Sequence, residues 1–410
     1  MGTFDMECIK KHKKLLVCGN VDDGKSTFLG RFFYDAGLLY EDQISKLKND
    51  SIKKGLDHLD YSLVFDGLEN EFINGITIDN SYKYFYLNEV KYILIDTPGH
   101  DEYLGNMASA AADADIAIVV VDSSRSISDQ LLKHLFMFSV FGIKDLIILF
   151  NKMDIVGFQQ KIFESFREKI LNILSPYDFN YTFIPVSSFY GDNVVNYSER
   201  IGWYKGPTVF EAIQKVELIS NSVKDLKVFV QNVVNKDGNT FAYCCIESGV
   251  LNVNEKYQLN NNEYVVCEEI YHKNNVVLSA NEGMSICLRV PGENTLKRGD
   301  CIHKKSCYKS AGKNLSAYFI CFNKDFFVCE KSYTVKRSFN YETIKFNSFE
   351  NVSMLSTDNV SKPMNNIYET RFSFIDGFDN LIAHSYESKL SGTCIVVDEN
   401  NNTLGILLIK

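Results

Sequence analysis

With 45% apolar and 13% aromatic residues, the 410-residue chain can build ordinary buried cores, and at this length it divides into roughly two or three domains. Its 43 basic and 52 acidic residues leave a net charge of −9, which excludes general affinity for a polyanionic backbone and argues against nucleic acid as a partner. The 11 cysteines, an odd number without a Cys-x-x-Cys pair, point to reduced core thiols in the cytoplasm, and apolar runs such as Ile116 to Val121 are too short for a signal peptide or a membrane span.

The basic run Lys10 to Lys14 reads as a solvated lead-in to a first strand, Leu15 to Cys18. That strand enters Gly19-Asn20-Val21-Asp22-Asp23-Gly24-Lys25-Ser26, and a helix-like segment, Ser26 to Tyr34, leaves it. Strand, glycine-bounded loop and helix are the context of a phosphate-binding P-loop. Backbone N–H groups and the helix N-terminus then face the β-phosphate, Lys25 reaches the β- and γ-phosphates, and the Ser26 hydroxyl meets Mg2+. The polar stretch Leu39 to Asn74, ending in Gly75-Ile76-Thr77-Ile78-Asp79, is longer than a structureless loop usually is inside a compact domain. It reads as a switch in which Thr77 places its hydroxyl on magnesium and its N–H on the γ-phosphate. Leu68, Glu69 and Phe72 suggest a short amphipathic helix just before it.

After the strand Tyr92 to Ile95 comes Asp96-Thr97-Pro98-Gly99-His100. Asp96 is placed to meet magnesium through water, Gly99 to donate its N–H to the γ-phosphate, and His100 to orient the attacking water. Helices Ala108 to Ala112, Gln130 to Phe141 and Gln160 to Ile173 alternate with strands Ile116 to Val121, Leu146 to Phe150 and Phe183 to Val186. Behind Phe150 stands Asn151-Lys152-Met153-Asp154, where the Asp154 carboxylate can accept two guanine N–H donors that adenine does not offer in that arrangement. This selects GTP over ATP. Lys152 lays its stem on the base, Asn151 ties this loop to the phosphate loop, and Ser187-Ser188-Phe189 presents a backbone N–H to guanine O6. Arg31 lies in a helix and Arg125 beyond the fourth strand, so neither reads as an arginine finger, and slow intrinsic turnover is expected.

The alternation predicts a doubly wound, mostly parallel α/β sheet with ligands at the strand C-terminal ends. From Lys227 onward the segments are short, β-branched and aromatic, punctuated by Asp237-Gly238, Ser248-Gly249 and Asn260-Asn261-Asn262, which is a β-barrel signature. Cys244 and Cys245 should point to opposite faces of a strand, one buried and one half-exposed.

These residues resemble the translation-factor class of GTPases, of which elongation factor Tu is a member, through the Val21-Asp22-Asp23-Gly24-Lys25-Ser26-Thr27 core and a second motif ending in His100. The closer resemblance is to the large, GTP-binding subunits of heterodimeric sulfate adenylyltransferases, which carry a second Asp, here Asp23, where elongation factors usually have His. Asp66-Gly67-Leu68-Glu69, Gly75 to Asp79, Tyr84-Phe85, Tyr103, Asn106-Met107-Ala108, Asp129-Gln130 with His134, and Gly191-Asp192-Asn193-Val194 continue the match through the first half. Val228-Phe229-Val230-Gln231, Ile246 to Gly249, Lys297 to Asp300 and Ser391 to Ile406 extend it more loosely.

The resemblance implies an α/β P-loop GTPase domain over residues 1–222 and two small β-barrels over 223–310 and 311–410. It implies GTP and Mg2+ as cofactors. It also implies a heterodimer in which a small catalytic subunit binds ATP and sulfate, while this chain hydrolyses GTP and has no second nucleotide loop or appended adenylyl-sulfate kinase. The alternatives are a translation-factor-like GTPase acting with tRNA or the ribosome, and a scaffold that only binds GTP.

Overall fold

The strands that read as continuous apolar runs lie side by side in one six-stranded sheet. The computed structural model describes residues 12–64, 80–88, 90–99, 103–216, 226–259, 263–273, 275–292, 296–304, 314–322, 331–337, 340–355, 361–375 and 393–410. Thr77, His100, the segments Asp66 to Glu69 and Gly75 to Asp79, and the expected boundaries at 222 and 310 fall outside the described residues. The chain divides into an α/β unit and a β-rich unit.

In the α/β unit the strands are β1 (His12–Cys18), β2 (Ser81–Leu87), β3 (Val90–Asp96), β4 (Ile116–Asp122), β5 (Asp145–Asn151) and β6 (Asn180–Pro185), in the order β2-β3-β1-β4-β5-β6. β1, β3, β4, β5 and β6 run parallel, and β2 pairs antiparallel with β3 at the edge. β4 is buried at every position, as an apolar strand covered on both faces must be. Strand order reverses at β1, which lies between β3 and β4, so a crevice opens beyond the carboxyl ends there. The helices are α1 (Lys25–Asp35), α2 (Glu41–Lys53), α3 (Leu104–Asp113), α4 (Asp129–Phe141), α5 (Gln160–Leu174) and α6 (Val209–Lys215). α1 contributes Phe28, Leu29, Phe32 and Phe33 to a core shared with Phe85 and Tyr92, whose rings stack at 5.2 Å.

One expectation needs correcting. Leu39 to Asn74 is not loop throughout: α2 occupies thirteen residues of it, and a 3-10 turn spans Tyr61–Val64. Glu, Gln, Lys and Leu favour helix, Glu41 and Asp42 stand in the first turn, and Lys53 stands in the last, so propensity and dipole agree. The helix buries only Leu47 and Ser51, which is why no apolar stripe announces it.

The β-rich unit contains an eight-stranded antiparallel sheet, ordered β11-β10-β16-β7-β8-β15-β12-β13, together with a two-stranded β14-β9 pair. These strands are β7 (Lys227–Lys236), β8 (Asn239–Ser248), β9 (Val250–Asn252), β10 (Lys256–Leu259), β11 (Tyr264–Val266), β12 (Glu269–His272), β13 (Asn275–Val277), β14 (Ser279–Asn281), β15 (Ser285–Pro291) and β16 (Cys301–His303). Val228, Val230, Ile246, Tyr257 and Leu288 fill its core. In β8, Cys244 is buried and Cys245 half-buried, and burial pushes the Cys244 thiol pKa well above the ordinary value, which suits a packing residue. A closed barrel follows, ordered β17-β20-β19-β18-β21-β22, from β17 (Asn314–Cys321), β18 (Ser332–Arg337), β19 (Asn340–Leu355), β20 (Ser361–Phe374), β21 (Thr393–Val397) and β22 (Thr403–Ile409). Phe319, Phe346 and Phe372 are fully buried inside it. Among the described residues no helix is long and apolar enough to cross a membrane.

Candidate nucleotide-binding site

The phosphate loop after β1 and the motifs beginning at Asp96, Asn151 and Ser187 all stand at the carboxyl ends of their strands. β1 runs into the loop Gly19 to Gly24, which turns into α1 without a side-chain cap. Gly24 has a left-handed φ of 90°, and a Cβ there would lie 2.5 Å from Asn151 Nδ2, so both conformation and space demand glycine. A Cβ on Gly19 would lie 2.4 Å from the Val120 carbonyl. The uncapped first turn of α1 places the amides of Lys25, Ser26 and Thr27 where an anion is favoured.

The Asp23 carboxylate, 5% exposed, turns back and accepts from the Asn20 amide at 2.8 Å. Burial raises its pKa, and that hydrogen bond with the nearby Lys25 opposes the rise. Its side chain therefore shapes the loop. Val21 is half-buried, whereas Asp22 is exposed. The buried Lys25 ammonium donates to the carbonyls of Gly19 at 2.9 Å and Asn20 at 2.8 Å. Desolvation lowers its pKa, and Asp96 and Asp23 counter this.

The second motif runs against the same lysine. A Cβ on Gly99 would lie 2.5 Å from Lys25 Nζ, and the Gly99 carbonyl accepts from Gln130 Nε2 at 2.7 Å. Thr97 is fully buried and donates through Oγ1 to the Val17 carbonyl at 3.0 Å, and Pro98 beside it is buried. Asp96 is buried at the end of β3. Ser26 and Asp96 together offer a hydroxyl and a carboxylate, the hard oxygen donors that magnesium takes. This donor chemistry fits the ion.

At the end of β5, buried Asn151 joins two loops. Its Nδ2 donates to the Asp23 carbonyl at 2.8 Å, and its Oδ1 accepts from the Ser188 amide at 3.0 Å and the Ser188 hydroxyl at 2.8 Å. Asp154 Oδ1 accepts from the Ser187 hydroxyl at 2.6 Å, which orients the carboxylate. Met153 is fully buried and its amide donates to the Val186 carbonyl at 3.2 Å, so its side chain belongs to the core. Phe189 is 43% exposed at the rim.

Two residues of this edge were not singled out as site residues. Asp122, at the end of β4, accepts from Lys152 Nζ at 2.7 Å and from the Ser124 amide at 2.8 Å. Burial would raise its pKa, but these bonds and the Ser124 hydroxyl outweigh burial and hold the carboxyl below its ordinary value. In sequence Arg125 reads only as lying beyond the fourth strand and not as an arginine finger. Its Nη1 lies 3.9 Å from Asp22 Oδ2 and its Nε 3.5 Å from Asp122 Oδ2, beside the P-loop. The available signal for Asp122 was a carboxylate directly after an apolar strand, the same signature that marks Asp96.

Residues 10–236 match the family model described as the elongation factor Tu GTP binding domain, so the first half is a GTP-binding domain of that class. The S. cerevisiae Ski7 GTPase-like domain, solved with GTP, covers 98% of this chain and 97% of its own at TM-score 0.56 and 17% identity, a likeness of fold. Among curated proteins, sulfate adenylyltransferase subunit 1 of Yersinia enterocolitica is 32% identical over 98% of this chain and 87% of the relative. Its counterpart in Aliarcobacter butzleri is 31% identical over 98% and 89%, and that of a Yersinia pseudotuberculosis strain is 35% identical over 80% and 70%. The chain belongs to the sulfate adenylyltransferase subunit 1 family.

Proposed function

We propose that this chain is the GTP-hydrolysing subunit of a sulfate adenylyltransferase, coupling GTP hydrolysis to the formation of adenylyl sulfate from ATP and sulfate by a separate catalytic subunit. The observation that carries the nucleotide reading is the Asn151 side chain, which bonds the phosphate loop at Asp23 and the base loop at Ser188 at once. Family membership carries the rest.

In this reading Lys25 and the first-turn amides of α1 hold the β- and γ-phosphates. Ser26, Asp96 and Thr77 hold magnesium, which when bound neutralises charge on the phosphate oxygens. Asp154 reads the guanine N–H groups, with Asp122 holding the Lys152 ammonium so that the lysine stem can lie along the base. His100 orients water for attack on the γ-phosphorus. The described residues supply positioning and charge, not a covalent intermediate.

GTP turnover by the purified chain tests this reading. Slow hydrolysis of GTP but not ATP is expected, with acceleration when the small subunit, ATP and sulfate are added. Equal use of ATP, or acceleration by ribosomes with no response to the small subunit, would overturn it.

A further inference from the structure

One guanidinium holds the base loop from outside. Arg31, in the second turn of α1, is 20% exposed and pairs through Nε with Asp35 Oδ2 at 2.7 Å. Its Nη1 donates to the Phe189 carbonyl at 3.1 Å and to the Tyr61 hydroxyl at 3.3 Å, and its Cζ lies 4.8 Å from the Tyr61 ring centre. The site is built to admit it. Gly191 has φ +82°, and a Cβ there would lie 2.6 Å from Arg31 Nε and Nη2 and from Asp35 Oδ2. Gly30 lets the Tyr61 turn approach so closely that a Cβ would lie 1.9 Å from the Tyr61 carbonyl.

The held residue is the one whose amide is uncommitted. Within Ser187 to Asp192, the amides of Ser187, Gly191 and Asp192 donate to backbone carbonyls of the same loop, Tyr190 donates to the Ser187 hydroxyl, and Ser188 donates to Asn151. Among the described residues the Phe189 amide has no hydrogen-bond partner, although it stands next to the Asn151–Ser188 bond. A donor on an exposed loop discriminates only if it is held in place. The planar fork of arginine can grip Asp35, Tyr61 and the Phe189 carbonyl together, which a single ammonium cannot.

We propose that Arg31 is a positioning residue for base specificity: by gripping the Phe189 carbonyl it anchors the backbone at residue 189, and through it the adjoining Phe189 amide that meets the 6-oxo edge of guanine. This rests on the guanine-site reading above. The 2-amino group is left to Asp154, so the two edges of the base are read independently.

The test measures affinities of wild type, Arg31→Met and Arg31→Lys for GTP, 6-thioguanosine triphosphate and inosine triphosphate. The sulfur analogue changes only the 6-position, and inosine lacks only the 2-amino group. Wild type should prefer GTP over both. In Arg31→Met the preference over the sulfur analogue should shrink by roughly two- to tenfold, the scale of one neutral hydrogen bond, while the preference over inosine stays. Arg31→Lys carries the same test if the methionine variant does not fold. Unchanged discrimination in the variants, loss of both preferences together, or a wild type indifferent to sulfur at position 6 would each overturn the proposal. A wild type that does not prefer GTP over inosine triphosphate would instead overturn the guanine-site reading.

Discussion

At the scale of single residues, Asp154 and His100 carry the proposed base reading and hydrolysis. The Asp154 carboxylate, oriented by Ser187, is assigned to two guanine donors. Asp154→Asn should weaken GTP and favour xanthosine triphosphate, whose 2-oxo group accepts from the amide and repels the carboxylate. Charge-assisted hydrogen bonds contribute about 1.5–3 kcal/mol, so the loss should be about one to two powers of ten per bond. Competition binding of the two nucleotides checks this, and an unchanged preference would remove Asn151 to Asp154 from the base site. His100→Ala should lower GTP turnover by about two to four powers of ten while binding survives, as for loss of a positioned proton-transfer group. Single-turnover hydrolysis measured beside equilibrium binding separates the two effects, and equal losses in both would make His100 structural. The motif residues were legible because glycine, lysine and carboxylate at fixed spacing follow apolar strands. Arg125 was not, because its place beside Asp22 depends on where the loop after β4 folds. Nothing in its local sequence encodes that.

Among elements, strands were easier to read than helices. β4 and β5 are apolar almost throughout and buried, so period and composition agree. α2 is rich in charge, so its pattern resembles a solvated loop until its end charges and propensity are weighed together. The contact of α1 with the Tyr61 turn supplies an element-level prediction. Gly→Ala inside a helix ordinarily gains about 1 kcal/mol in propensity. At Gly30 the added Cβ would meet the Tyr61 carbonyl, a backbone atom with little freedom to retreat. Overpacking costs about 1–3 kcal/mol, so Gly30→Ala should destabilise despite the better helix former. Urea unfolding reads the sign, and a higher midpoint for the variant would show that α1 and the turn are not packed this closely.

For the whole molecule, the division of labour is the point at issue. The α/β unit gathers its phosphate-loop and base-loop motifs at one sheet edge. In the proposed reading GTP chemistry belongs to this chain and adenylyl transfer to another, and the net charge of −9 weighs against the RNA-bound alternative. The most direct measurement is sulfate-dependent release of pyrophosphate from ATP, followed for the purified chain, for the small subunit, and for both together with and without GTP. The account predicts no release by this chain alone and release by the pair that rises when GTP is hydrolysed. Adenylyl sulfate made by the lone chain, or a pair indifferent to GTP, would contradict it.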